Sequence, residues 1–226
     1  MTLFPDMFVG PLTESIIKRA QNKGVVKINV INFRDFTEDK HKTVDDTPYG
    51  GGAGMVLKVD VLDKAINGIV GNKRSDYHIV LMTPQGATFD QRKAEELAQK
   101  NKIILICGHY EGFDERIRQY LVDEQISLGN FVLSGGEISA MAITDSIVRL
   151  LPGALGHDES SAEESFSLQN ESGEYLLEYP IYTKPADYKG WKVPDVLTSG
   201  NHAEIKKWRL EEARKSTKNK RPDMLN

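Results

Sequence analysis

The alternation of apolar and polar positions predicts a sheet of buried strands joined by amphipathic helices. Mainly apolar runs of strand length occur at Val25–Ile31, His78–Met82, Lys102–Cys107 and, shorter, Gln125–Leu128, with Phe131–Leu133 just beyond the last. Between the second and third runs, Asp90 is a suitable N-cap, and the apolar positions after it recur with a helical period. Since strand, helix and strand alternate here, we expect parallel strands with right-handed crossovers, and hence an α/β fold.

Two further helices and an acidic segment follow the predicted sheet. The apolar pattern from Glu137 to Leu151 indicates a largely buried helix, and a second helix begins near Asn201, where Glu204 completes a capping pair. Residues 158–178 contain seven acids and no base, together with many serines, which is typical of a mobile linker. The sequence therefore predicts a main domain at 1–157, an acidic linker at 158–178 and a small helical C-terminal domain at 179–226.

The composition is that of an ordinary globular protein. Hydrophobic residues make up 39% of the 226 residues and charged ones 27%, and no apolar run approaches the ~20 residues that span a bilayer. The first residues lack the pattern of a signal peptide, and we expect no contact with a membrane. Cys107 is the single cysteine and closes an apolar run, so we expect a buried small hydrophobe in a protein of the reducing cytoplasm.

The charge is unevenly distributed along the chain. Residues 201–226 hold eight Lys and Arg against four Asp and Glu, a net charge of +4, which leaves −8 for residues 1–200 out of the total of −4. A basic tail on an acidic body suggests a local contact with a polyanion. A solvated helix face with a basic end explains the charge of the tail equally well.

Two runs that combine glycines with carboxylates predict a ligand site. Residues 108–116 and 127–137 each follow an apolar run, and in open α/β sheets small molecules bind just past the strand ends. The stretch from Ser134 to Glu137 also leads into a helix N-terminus, although a tight strand-to-helix turn would have the same sequence. Glu111 is the acid best suited to a cationic ligand, whereas Glu115 is better explained as a charge at a helix start.

Three other features carry weaker signals. The glycines of residues 49–54 could cradle a phosphate, but neither a P-loop nor a GxGxxG motif is present, and a flexible loop explains them better. The five histidines have no spacing typical of metal ligands, so we expect no metal site. Arg149 lies on an otherwise apolar helix, where an arginine needs an anionic partner or access to solvent.

Together these motifs resemble the bacterial tRNA (guanine-N1-)-methyltransferases, a branch of the SPOUT superfamily. The matching segments run in order through almost the whole chain: Leu3–Phe8, Asn32–Phe36, Val44–Asp46, Pro48–Gly52, Gly54–Met55, Thr83–Gly86, Cys107–Arg116, Gly129–Glu137, Leu151–Gly153 and Ser199–Glu204. The resemblance implies a parallel α/β domain with a deep trefoil knot around S-adenosylmethionine, plus a small helical C-terminal domain that binds tRNA. It also implies an obligate homodimer whose active site is shared between the subunits.

The resemblance assigns roles to individual residues. The cofactor would be bound by the knot loops, which contain Leu81, Thr83, Pro84, Gln85, Gly86, Gly108, Tyr110, Glu111, Gly112, Ser127, Leu128, Gly129, Asn130, Phe131, Val132, Leu133, Gly135 and Gly136. The RNA would be bound by Asp45, Gly54, His202, Lys206, Lys207, Arg209, Arg214 and Lys215. A magnesium requirement for activity is likewise implied by the resemblance alone.

The implied reaction is methylation of guanine N1 at position 37 of tRNA, immediately 3′ of the anticodon. N1 carries a proton near neutral pH, so a base must remove it while the negative charge that develops on guanine O6 is stabilised. The family uses an aspartate as the base, with an arginine on the preceding helix. Arg149 matches that arginine, and Glu164 stands at the aspartate position with one additional methylene.

Two alternatives belong to other functional classes. A noncatalytic relative that binds RNA or S-adenosylmethionine would keep the motifs but lack turnover, and the change to Glu164 is the feature that favours it. A nucleotide phosphotransferase built on the glycine loop is the weaker alternative, since the expected lysine motif is missing. Transfer of a labelled methyl group to bulk tRNA would distinguish all three.

Overall fold

The computed structural model describes residues 1–155 and 163–225 of the chain. The chain divides into two compact units, Met1–Gly156 and His157–Asn226. Where the structure describes it, the segment predicted as an acidic linker therefore belongs to the second unit.

The first unit is built on a three-stranded parallel sheet. The strands of the whole unit are β1 (Asp45–Asp46), β2 (Val56–Leu57), β3 (His78–Thr88), β4 (Ile103–Ile106) and β5 (Glu124–Ser127). Its helices are α1 (Ser15–Asn22), α2 (Val59–Val70), α3 (Gln91–Ala98), α4 (Glu115–Tyr120) and α5 (Glu137–Val148), with 3₁₀ turns at Pro5–Phe8, Phe33–Phe36 and Arg74–Asp76. The sheet order is β4-β3-β5, all parallel, and β1 and β2 form a separate antiparallel pair. The predicted parallel α/β fold is thus confirmed.

The sheet is covered on both faces because successive residues of β3 point to opposite sides. Ile79 and Leu81 pack into one hydrophobic cluster with residues of α2 and α4. Val80 and Met82 pack into a second cluster with residues of α1, α3 and α5. A parallel sheet buried on both faces has nearly continuous apolar strands, which is why the sequence pattern identified β3 and β4.

The predicted helices begin at their expected caps. The Asp90 carboxylate accepts a hydrogen bond from the Lys93 amide at 2.9 Å at the start of α3. The buried helix predicted from Glu137 is α5, although it ends at Val148 rather than at Leu151. The three residues of difference lie in a turn, where Leu151 N donates to Val148 O at 3.1 Å.

The strand predicted at Val25–Ile31 is wrong. The segment is extended, but among the described residues it forms no ladder with another strand. Val25 N donates to Ala20 O of α1 at 2.9 Å, and at the other end Thr2 N donates to Ile31 O at 3.0 Å and Thr2 forms a single parallel bridge with Asn32. The apolar pattern of this run comes from Val25, Val26 and Ile28, which are partly buried against the second hydrophobic cluster. Burial alone therefore produced the strand-like pattern.

The second unit combines a hairpin with a long helix. Its elements are β6 (Asp187–Tyr188), β7 (Trp191–Lys192), α6 (Asp195–Thr198) and α7 (His202–Lys220). The Asn201 side chain accepts from the Glu204 amide at 3.3 Å, which confirms the predicted helix start. Leu176 is fully buried, and the neighbouring Leu177 N donates to the buried Thr217 hydroxyl of α7 at 2.8 Å. Residues near the end of the predicted linker are thus part of the core of this unit.

Within residues 1–155 and 163–225, no helix has the length and apolar character needed to cross a membrane.

Candidate functional site

The loop within β3 is held tightly against the backbone of β5. Met82 and Ala87 both pair with Ile126, so residues 83–86 bulge out of the ladder between them. A Cβ atom at Gly86 would lie 2.4 Å from the backbone of both Gln125 and Ile126. Only glycine allows this approach, and the loop is thereby fixed at the carboxyl ends of the strands.

The loops after β4 and β5 meet at the same edge of the sheet. Gly136 N donates a hydrogen bond to Gly108 O at 2.9 Å. A Cβ at Gly136 would lie 2.7 Å from the Cα of Cys107, so no larger residue fits. Since β3 lies between β4 and β5, this edge is also the switch point of the sheet, where α/β proteins bind their ligands.

The loop after β4 also contacts the glycine-rich segment of residues 49–54. Glu111 N donates to Met55 O at 3.0 Å, and a Cβ at Gly54 would lie 2.4 Å from the Glu111 side chain. Leu57 N donates to Gly112 O at 2.9 Å, and Leu57 pairs with Asp45 across the β1–β2 ladder. The structure therefore places two of the predicted RNA residues beside the predicted cofactor loop.

The loop after β5 presents backbone and apolar groups together. The buried Ser127 hydroxyl accepts from Gly129 N at 3.2 Å and donates to Gly129 O at 3.0 Å, which fixes the start of the loop. Phe131 and Val132 beyond it are 54% and 81% exposed. The apolar run Phe131–Leu133 lies outside the sheet, and its exposed side chains are free to meet a ligand or another surface.

The predicted cofactor residues are thus collected at the ends of three adjacent strands. Leu81 is buried in the regular part of β3 and Ser127 is buried at the end of β5, and the remaining members occupy the three loops.

A buried polar network at this edge was not predicted from the sequence. The fully buried Glu137 carboxylate accepts from the Thr2 hydroxyl at 2.6 Å, and its other oxygen lies 2.8 Å from His109 Nε2. Phe4 packs on the His109 ring with centroids 4.5 Å apart. A Cβ at Gly135 would lie 2.3 Å from His109 Nε2 and 2.5 Å from Glu137 Oε2. The network connects the loop after β4 to α5. In the sequence, the only indication of it is the pair of adjacent glycines, Gly135 and Gly136, directly before Glu137 at the start of the helix.

Cys107 is confirmed as a buried side chain. Burial raises the pKa of its thiol to about 12, so the nucleophilic thiolate is absent at neutral pH.

The two predicted catalytic residues lie in different units. Arg149 is half-buried and follows the last residue of α5, where its amide donates to Asp145 O at 3.1 Å. Glu164 is half-buried in the second unit, and its carbonyl accepts from Ser167 N at 3.1 Å and from Leu168 N at 3.0 Å. Two other acids of the predicted linker, Asp158 and Glu159, which the sequence also offers as candidate bases, lie outside the described residues.

The neighbouring acid, Glu163, is held by side chains of its own unit. It accepts a short hydrogen bond from the Tyr179 hydroxyl and lies 3.8 Å from the Arg209 guanidinium. The guanidinium in turn lies over the Tyr179 ring, 4.6 Å from its centroid. Burial, followed by the bond to Glu163, raises the pKa of Tyr179 to about 12, so the phenol remains a donor at neutral pH.

Arg209 therefore differs from the other basic residues predicted to bind RNA, because its guanidinium already has partners in its own unit. Lys206, Lys207 and Arg214 are exposed on α7, which begins at the exposed His202. Lys215 lies 2.6 Å from Glu212, and this hydrogen bond raises the pKa of the lysine. Arg209 is engaged by Glu163 and Tyr179, so we expect it to contribute less to phosphate binding than the exposed cations.

Two open grooves in the second unit were also missed by the sequence analysis. One, of about 500 Å³, is lined mainly by residues 179–184 and by side chains of α6 and α7. The other, of about 640 Å³, lies between residues 177–181 and the last turns of α7. Among the described residues, no group of three or more His, Cys, Asp and Glu side chains is arranged to hold a metal ion.

The structure is an α/β domain with three loops that converge at the carboxyl ends of parallel strands, the edge at which domains of this class bind ligands. Comparison with known proteins is more specific. The family described as tRNA (Guanine-1)-methyltransferase TrmD matches residues 1–226. The chain belongs to this family.

Curated relatives carry the name of this family's activity, and their sequences align with this chain over most of their length. The tRNA (guanine-N(1)-)-methyltransferase of Brevibacillus brevis is 56% identical over 224 residues, which cover 99% of this chain and 89% of the relative. The proteins of the same name from Halalkalibacterium halodurans and Bacillus pumilus are each 55% identical over 225 residues, covering 100% of this chain and 89% and 90% of the relatives.

Proposed function

We propose that this chain transfers the methyl group of S-adenosylmethionine to N1 of a tRNA guanine, at the nucleotide immediately 3′ of the anticodon. The observation that carries the proposal is the family match over all 226 residues, combined with three loops that converge where such a domain binds its ligand. Binding domains that lack catalytic activity can share a fold with enzymes, so the residues must also supply the chemistry.

The strand-end loops are suited to hold the cofactor. S-adenosylmethionine supplies an electrophilic methyl group on a positively charged sulfur, together with an adenine and a ribose that need backbone hydrogen bonds. A Cβ at Gly108, Gly135 or Gly136 would meet Phe113, His109 or the backbone of Cys107, so these glycines let the loops pack closely together at the edge where the cofactor is proposed to bind. Glu111 supplies a carboxylate on the loop after β4, where it favours a cationic ligand.

A trefoil knot is part of the proposal. A knot requires one loop to pass through another, which brings backbones closer than side chains normally permit. The crowding of Gly86 against β5 and of Gly136 against Cys107 supports this threading. We therefore propose that residues 83–86, 108–112 and 127–136 form the knotted cofactor site.

We also propose that the enzyme works as a homodimer with an active site shared between subunits. Large apolar side chains are exposed on or beside the cofactor loops, namely Phe4 at 45%, Phe131 at 54%, Val132 at 81% and Ile138 at 48%. Exposed apolar groups concentrated near a functional site are typical of a surface that another subunit covers.

The chemical step assigns one acid and one cation. Glu164 is proposed to remove the N1 proton as the N1 lone pair attacks the methyl carbon; the bond between that carbon and the sulfonium sulfur breaks, and S-adenosylhomocysteine leaves. Arg149 is proposed to stabilise the negative charge that develops on guanine O6. Glu164 is chosen because it stands at the position of the aspartate that the resemblance implies, whereas the neighbouring Glu163 carboxylate is held by Tyr179 and Arg209.

The test is methyl transfer from labelled S-adenosylmethionine to unmodified tRNA. We expect stoichiometric label in the RNA and 1-methylguanosine after digestion to nucleosides. A noncatalytic relative would bind tRNA or the cofactor and leave the RNA unlabelled, and that result would overturn the proposal. A phosphotransferase would instead release nucleoside diphosphate from a nucleoside triphosphate.

We expect tRNA binding to depend on salt through the exposed cations of α7. The double change Lys206→Gln and Lys207→Gln should reduce the slope of log affinity against log salt by about 1.4–1.8, since each phosphate contact contributes about 0.7–0.9. Filter binding at several salt concentrations measures this slope. Substitutions are preferable to deleting residues 201–226, because α7 supplies the buried Ala213 and Thr217.

Lys218→Gln serves as a single-charge comparison on the same helix. The exposed cations Lys206, Lys207 and Arg214 form the basic face of α7. If the double variant has the slope of the parent, the basic face of α7 does not contact phosphates.

A further inference from the structure

The β6–β7 hairpin carries two exposed aromatic rings at its tip. Tyr188 and Trp191 form a cross-strand pair, with ring centroids 5.8 Å apart and planes inclined by 60°. The Trp191 side chain is 74% exposed and Tyr188 is 51% exposed. Large aromatic side chains normally contribute to a core or to an interface, so a pair of them on a surface hairpin suggests a binding role.

The hairpin holds these rings in a defined position. Its two-residue turn, Lys189-Gly190, has positive φ at both residues, as in the tight turns that join antiparallel strands. Gly190 N donates to the Asp187 carboxylate at 2.9 Å, and Val193 N donates to Ala186 O at 2.9 Å at the base of the hairpin. The rings are therefore presented on a short, hydrogen-bonded support.

The charge around the rings favours a polyanion. Residues 184–192 contain three lysines and one acid, and all of these side chains are exposed. Lys189 Nζ lies 5.3 Å from the centroid of the Tyr188 ring. Exposed aromatic rings beside lysines are the arrangement by which proteins stack unpaired bases while attracting the phosphates around them.

We propose that the β6–β7 hairpin is a stacking site for an unpaired base of RNA, with Trp191 as the main contact. This inference rests on the proposed tRNA substrate but assigns the hairpin a contact separate from the basic face of α7. Charge complementarity favours RNA over a protein partner, because an apolar interface would have to bury the three lysines. Each base stacked on an aromatic ring contributes about 1–3 kcal/mol, so one ring has a measurable effect.

The test uses tryptophan fluorescence, because the chain has two tryptophans and only Trp191 is strongly exposed. In a Trp208→Phe background, titration with an anticodon stem-loop RNA should quench Trp191, whereas heparin, a polyanion without bases, should not. If that background does not fold, the spectrum of the parent minus that of Trp191→Phe gives the same signal.

Binding and kinetics complete the test. We expect Trp191→Ala to weaken tRNA binding by about 5- to 150-fold, the range of a single stack, with the salt slope unchanged. The KM for tRNA should rise while the KM for S-adenosylmethionine stays constant, and Trp191→Phe should restore most of the affinity. Tyr120→Ala, which removes a 77% exposed ring from α4 of the first unit, is the matched control and should behave like the parent.

Three results would overturn the stacking site: equal quenching by heparin, unchanged tRNA affinity in Trp191→Ala, or Trp191 emission that changes with protein concentration alone. The last would show that a second copy of the chain covers the hairpin. Parent activity on tRNA is measured in parallel, so failure of the proposed function is seen separately: Trp191 could bind RNA in a protein that transfers no methyl group.

Discussion

Glu164→Gln is expected to lower the single-turnover rate of methyl transfer by about 10²–10⁴-fold, the usual contribution of a positioned general base. The amide has nearly the shape of the carboxylate but cannot accept the N1 proton. Affinities for tRNA and S-adenosylmethionine should stay close to those of the parent, because the change removes neither a cation nor a strand-end loop. Rapid-quench measurements with enzyme in excess report the chemical step directly.

Three comparison variants sharpen this test. Glu164→Asp should retain or raise the rate, since it restores the residue that the family has at this position. Glu163→Gln alters the neighbouring carboxylate, which Tyr179 and Arg209 engage, and should have a much smaller effect on the rate. Arg149→Ala should also be slow, but higher pH should not rescue it, because charge stabilisation rather than proton removal is lost. If Glu163→Gln is slow while Glu164→Gln reacts like the parent, the base has been assigned to the wrong acid.

Gly135→Val is expected to abolish S-adenosylmethionine binding. The backbone of Gly135 lies outside the left-handed region, so the substitution acts through space rather than through backbone strain. Its Cβ would meet the His109 ring and the Glu137 carboxylate, which would have to separate. Separating the two groups would leave the buried Glu137 carboxylate short of a hydrogen-bond partner, at a cost of about 1–3 kcal/mol, and would displace the loops that form the proposed cofactor site.

Titration calorimetry measures this loss, with circular dichroism to establish that the variant is folded. Ala142→Val adds the same branched side chain at an exposed position of α5 and should bind the cofactor like the parent. A folded Gly135→Val protein with the affinity of the parent would place the cofactor elsewhere.

Sequence reasoning predicted the elements whose pattern reflects both burial and pairing. β3 and β4 are apolar because both faces of the sheet are covered, and α3 and α7 begin at side-chain caps that are local in sequence. Val25–Ile31 has the same apolar pattern but lacks a neighbouring strand along most of its length. Periodicity measures burial and carries no information about hydrogen-bond partners.

The candidate site was likewise predicted only where the constraint on the residue is local in the sequence. Glycine-rich loops after predicted strands indicated where a ligand binds, because the constraint that requires glycine is local. The contact of His109 with Glu137 spans 28 residues, and that of Glu163 with Tyr179 spans 16. Such contacts depend on how the loops are threaded, which no local pattern encodes. For the same reason the exposed Trp191 could be recognised only after the hairpin that presents it was known.

Locating the methyl group on tRNA tests the proposed activity and its position in one experiment. A transcript with guanosine 3′ of the anticodon is incubated with the enzyme and S-adenosylmethionine, then copied by reverse transcriptase, which stops at 1-methylguanine. We expect one new stop, at that guanosine, and no stop in a transcript with adenosine there. A stop at another position, or RNA that remains unlabelled while cofactor and tRNA both bind, would contradict the proposal.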